Sequence, residues 1–182
     1  MEILRWVIIA VLVAVSVFSI VLCLFRGRGA SHKMLLCSIV LLGAAALVCF
    51  VGDAVLACFG MGWRCTLFNN MLLLCVVLLI ATLCCCMSAL CHLEGVKPAL
   101  IQSGVFSMIL VILITVMSAF FYFMLSSWSD GLTTYDGQVI VYETNGHGSF
   151  GAWRYYTHIN DLVHGAEIKL DGWYLAPPRQ FH

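Results

Sequence analysis

The sequence predicts an all-α membrane protein, an antiparallel four-helix transmembrane bundle with a small C-terminal extramembrane α+β element. Three features predict it. Of 182 residues, 63% are apolar or aromatic and 10% are charged, the mean hydropathy is +1.03, and four apolar runs are parted by short polar connectors. Soluble domains are roughly half apolar and a quarter charged.

The apolar runs cover about residues 3–25, 34–57, 71–90 and 100–125 of a transmembrane domain spanning 1–125. Each reaches or approaches the ~20 residues that a helix rising ~1.5 Å per residue needs to cross ~30 Å of hydrocarbon. The connectors "RGRGASHK", "CFGMGWRCTLFNN" and "CHLEGVKPA" are short enough to force neighbouring helices antiparallel. The first run exceeds the ~7–15 residues of a signal-peptide core and lacks an A-x-A-like cleavage site. It is expected to remain as a helix.

Charge sets the expected orientation, because Lys and Arg in short loops stay on the cytoplasmic side. Arg26, Arg28, Lys33 and Lys97 occupy the first and third connectors, against Arg5 and Arg64 on the other side. Both termini are therefore expected outside a plasma membrane. Trp6, Trp63 and Trp128 would then lie at the outer interface, where indoles anchor among headgroups.

All ten cysteines precede residue 92. Cys84, Cys85 and Cys86 fan out at ~100° steps on a helix, so they cannot share a face as metal ligands would. The row Ala81, Cys85, Ala89 has small side chains at i, i+4 and i+8, which lets helix backbones approach in lipid. Cys58 and Cys65 bracket the glycine-rich "FGMGWR" on the expected oxidising side and are the candidate disulfide.

Asp53 is the one ionisable residue at membrane depth, and Arg64, across the short second connector, is its expected ion-pair partner. Buried charge in a membrane marks ion or solute pathways, so Asp53 also supports an alternative reading as the binding carboxylate of a small carrier or channel. Ser16, Ser19, Thr82, Ser103, Ser107, Thr115 and Ser118 are expected to bond back to their own helix carbonyls.

Residues 126–137 read as a polar linker and 138–182 as a β-α-β-β tail. "QVIVYET" fits a strand, "AWRYYTHINDLVHG" a short helix, and "AEIKLDGWYL" a hairpin about Asp171-Gly172. Tyr155, Tyr156, His158, Trp173 and Tyr174 form the candidate binding surface of this aromatic segment.

No catalytic triad, nucleotide loop or zinc-protease motif occurs in the sequence. The expectation is a non-enzymatic protein without metal or cofactor, whose tail binds or senses a partner as an accessory or immunity-type protein. The expected partners are the lipid bilayer and, through the tail, another protein or a second copy of the chain. Nucleic acid is disfavoured, because 126–182 holds three Lys/Arg against six Asp/Glu.

Overall fold

The computed structural model describes residues 2–27, 29–125, 129–135, 137–144 and 153–168, with side chains from residue 10 onward except those of Leu125 and Trp153. The chain is mostly helical with a small antiparallel sheet. Helix α1 spans Glu2–Arg26 and α2 spans Ala30–Ala46; a π-helical turn at Leu47–Val51 leads into α3, Gly52–Cys58. A two-residue strand β1 (Gly62–Trp63) precedes α4 (Cys65–Cys91) and α5 (Pro98–Leu125). Strands β2 (Ser129–Tyr135), β3 (Gln138–Thr144), β4 (Trp153–His158) and β5 (Val163–Glu167) follow.

Three helical stretches, Ala30–Cys58, Cys65–Cys91 and Pro98–Met124, are long and apolar enough to cross a membrane. Their composition is that of a membrane protein: an apolar run of ~20 residues has no aqueous use, since a surface helix needs one polar face.

Two units compose the chain. One joins residues 1–45 to 74–120, and the other joins 46–73 to 121–182. In the first unit, Cys23 of α1, Leu35 of α2, Leu83, Cys86, Ala89 and Leu90 of α4, and Met108 of α5 form a single buried cluster. The outward positions are apolar too, including Val17, Phe18, Val40, Leu113 and Phe120. Ser16, Ser19, Thr82 and Ser107 instead lie inside. Apolar outside and hydroxyl inside is the reverse of a water-soluble helical domain.

Three of the hydroxyls expected to bond back do so. Ser19 donates to the Val15 carbonyl, Thr82 to Leu78 and Ser103 to Leu100. Ser107 differs, because it donates to the Leu12 carbonyl of α1 at 2.8 Å and lies 3.2 Å from the Ser16 hydroxyl. These two serines bridge α1 and α5.

The packed side of α4 also departs from expectation. Thr82, Leu83, Cys86, Ala89 and Leu90 are buried, whereas Ala81 is exposed and Cys85 only half-buried. Of the row Ala81, Cys85, Ala89, Ala89 belongs to the buried cluster, Cys85 packs against it half-buried, and Ala81 faces away. Three successive cysteines give α4 a small residue on whichever side it packs, so Leu83 and Leu90, with more area to bury, choose the face.

In the second unit the sheet order is β1-β5-β4-β3-β2, antiparallel throughout. Residues 153–165, expected to be helical, instead form β4, a turn and the start of β5. "WRYYTH" is aromatic and β-branched, which suits a pleated surface better than a helix. Asn160 then closes the turn, its Oδ1 accepting the N–H groups of Leu162 and Val163. The expected linker 126–137 contains β2, which pairs along its whole length with β3. The hairpin expected about Asp171-Gly172 lies outside the described residues.

Candidate functional site

The second connector does more than join two helices. Its Gly62 and Trp63 pair with His164 and Val163 of β5, and the Arg64 N–H donates to the Leu162 carbonyl. Gly62 permits this approach, since a Cβ there would lie 3.0 Å from the His164 imidazole. Gly52 likewise accommodates the Trp63 indole, whose Cζ2 would lie 3.0 Å from an added Cβ.

Arg64 and Asp130 lock this arrangement. The Arg64 guanidinium donates through Nε at 2.6 Å to Asp130 Oδ2, with Nη2 also in contact, and a longer ion pair of 3.8 Å reaches Asp161. Asp130 Oδ1 accepts the Thr66 N–H at 2.6 Å. Thr66 lies in the first turn of α4, so a carboxylate from β2 caps a helix 64 residues earlier in the chain. It satisfies an orphan donor and meets the positive end of the helix dipole. The Asp130 side chain is 1% exposed. Burial alone raises its pKa, but the Thr66 hydroxyl, the Thr66 N–H and Arg64 outweigh that and hold it below the ordinary 3.8.

Asp130 stands directly across from Glu143 on β3, and Glu143 across from Arg154 on β4. Alternation along the strands puts Asp130, Glu143, Arg154 and Tyr156 on one face. His164 completes the cluster, its Nε2 3.6 Å from Glu143 Oε1 and its ring centroid 4.0 Å from that of Tyr156. Burial raises the Glu143 pKa, with His164 opposing and the Asp130 charge adding to the rise. Tyr156 is also raised, by burial first and then by the Glu143 charge. Two carboxylates facing each other would repel, and each is offset by its own set of donors.

The sites expected from sequence are thus only partly brought together. Arg64 pairs with Asp130 and Asp161, not with Asp53, which makes no ion pair among the described residues. The sheet presents Asp130 in hydrogen-bonding position, whereas Asp53 is held by its own helix. Cys58 and Cys65 are not joined in a disulfide, and one is exposed and the other half-buried. On β4, Tyr155 is buried and faces away from Tyr156, so Tyr155, Tyr156 and His158 do not form one surface. Trp173 and Tyr174 lie outside the described residues. Among those described, no cluster of three or more His, Cys, Asp or Glu could hold a metal.

Missed from sequence were Asp130 and Glu143. Their one signal was a charged residue inside a strand-like run, as in "QVIVYET". No protein-family model, curated protein or solved structure matches this chain.

Proposed function

We propose that this chain is a non-enzymatic multi-pass protein of the plasma membrane, crossing four times, with both termini and the sheet on the outside. Its role is to bind or sense a protein partner through that sheet, as an accessory or immunity-type protein. The second connector and the tail share one sheet, which supports an even number of crossings between them.

The observation that carries the partner reading is strand β2. It lies at the edge of the sheet, seven residues long, without Lys or Pro, and its one acidic side chain is buried against Arg64. Soluble proteins blunt such edges with lysine, proline or bulges, because an open edge templates pairing. Exposed Leu132, Tyr135 and Val139 border it. An extended segment of a partner can add here as a further strand, the backbone supplying affinity and these side chains selectivity. Replacing exposed Leu132 and Thr134 together by Lys should abolish co-purification of the partner with the full-length chain while the sheet stays protease-resistant. Undiminished recovery removes the reading.

A second reading, a small ion or solute carrier using Asp53, is favoured by one feature. Asp53 follows directly on the π-helical turn and Gly52, and Arg64 is engaged elsewhere. π-Turns within helices occur often at functional sites. On this reading Asp53→Asn abolishes flux into reconstituted vesicles, and unaltered flux ends it.

A further inference from the structure

A cleft of about 570 Å³ opens where α1 ends, α2 begins and α4 ends, lined among others by Phe25, Arg26, Ser31, His32, His92 and Glu94. Its size falls within the ~300–1,000 Å³ of ligand pockets. All of it belongs to the first unit. Neither Arg26 nor Glu94 forms an ion pair with another described residue. His32 Nδ1 is buried without a hydrogen-bond partner among the described residues, in space left open by Gly27, whose Cβ would lie 2.8 Å from it. The first turn of α2 contains no acidic side chain, so the charge at that helix end is uncompensated from within the helix, and its first N–H groups lack intrahelical acceptors.

Charge decides what fits. Its lining carries one Lys/Arg cation, Arg26, and one carboxylate, Glu94. A purely anionic headgroup would place phosphate beside Glu94 with only Arg26 to offset it. A zwitterion uses both. Among zwitterions, a primary ammonium can donate hydrogen bonds to the Glu94 carboxylate, whereas a quaternary ammonium cannot. Phe25, 86% exposed beside Arg26, ends the apolar part of α1 at the level where hydrocarbon gives way to headgroups.

We propose that this cleft binds the phosphoethanolamine headgroup of a membrane lipid, its phosphate held by Arg26, Ser31 and the first turn of α2, and its ammonium by Glu94. The site rests on the membrane reading above and is independent of the sheet. The full-length chain is mixed with vesicles of phosphatidylethanolamine, phosphatidylcholine or phosphatidylglycerol for flotation. Lipid retention is then measured on the detergent-solubilised protein by native mass spectrometry. The wild type should retain phosphatidylethanolamine about tenfold better than either other lipid. Glu94→Gln should erase the preference over phosphatidylcholine, and Arg26→Gln should weaken retention of all three. Both side chains are exposed, so both variants should unfold at the wild-type temperature without added lipid. Equal retention of the three lipids by the wild type, or an unchanged preference in Glu94→Gln, overturns the site. Soluble phosphoethanolamine that displaces the lipid at equal concentration overturns the lipid as source. A chain that floats with no vesicle at all overturns the membrane reading itself.

Discussion

Asp130 on β2 caps the N-terminus of α4, accepting the Thr66 N–H at 2.6 Å while its other oxygen takes the Arg64 guanidinium. Removing it leaves a guanidinium whose side chain is 15% exposed with only its longer pair to Asp161, and uncaps a 27-residue helix. Asp130→Ala should therefore destabilise the sheet by about 3 kcal/mol. Asp130→Asn, which keeps an acceptor for Thr66, should cost less. The double variant Arg64→Met with Asp130→Leu should cost far less than the sum of the single losses, because it leaves no unpaired charge. Thermal unfolding followed by protease digestion of the tail measures all three. Additive losses would mean that the pair is not coupled.

The two facing carboxylates give the sheet opposite responses to pH. Asp130 titrates below its ordinary 3.8 when folded. Its stabilisation is therefore complete above that value and is lost as pH falls through the folded pKa. Glu143 titrates above its ordinary 4.5, so its ionisation penalises the folded state, beginning as pH rises past 4.5 and complete above the folded pKa. Stability should peak in mild acid and decline on both sides. Glu143→Gln should remove the decline on the alkaline side, and Asp130→Asn the one on the acid side, in melting temperatures taken from pH 3 to pH 7.

What was legible in the sequence follows from which forces act locally. The apolar runs are legible because a membrane span must satisfy its backbone within one helix, which fixes both length and composition. The sheet was half legible. "QVIVYET" stands out by its β-branched residues, but its partner "SDGLTTY" carries polar, turn-prone residues and is a strand only because β3 pairs with it. The Asp136-Gly137 pair is the same dipeptide signal read at 171–172, and Gly137 indeed takes a positive φ of 75°; its polar surroundings hid it. "AWRYYTHINDLVHG" satisfies a helical period and a strand composition at once, and the Asn160 turn decides between them. The charged cluster was illegible for a different reason. Nothing in the spacing of Arg64 and Asp130, 66 residues apart, distinguishes that pair from Arg64 and Asp53, since partner choice is made by the sheet register.

Gly104 of α5 marks the closest approach in the helical unit. A Cβ there would lie 2.7 Å from the Ser19 hydroxyl of α1 and 3.3 Å from Leu90 Cδ1 of α4. Three helices meet at a position that tolerates no side chain, the geometry that small residues provide in lipid. Gly104→Ala requires Ser19 to leave the rotamer that bonds Val15, and Gly104→Val forces the helices apart. Losses of about 1 and 3 kcal/mol are expected, measured as unfolding of the detergent-solubilised chain. Gly43, with nothing within 4 Å of its added Cβ, should accept Ala without loss.

The cysteines report burial and environment together. Cys58 is exposed and unbonded, so a charged maleimide should label it in intact vesicles without prior reduction. A Cys58–Cys65 disulfide would block that reaction. Cys37 and Cys84 are also exposed, but they lie on apolar helices, where lipid excludes both a charged reagent and the thiolate that reacts. Detergent that replaces the lipid, with a small uncharged maleimide, should add them. Cys23 and Cys86 are fully buried with their sulfurs 3.8 Å apart across α1 and α4, and should react only on denaturation. Labelling of Cys37 by the charged reagent in intact vesicles would place α2 in water and contradict its membrane-spanning role. Labelling of Cys86 ahead of Cys85 would contradict the choice of packing face on α4.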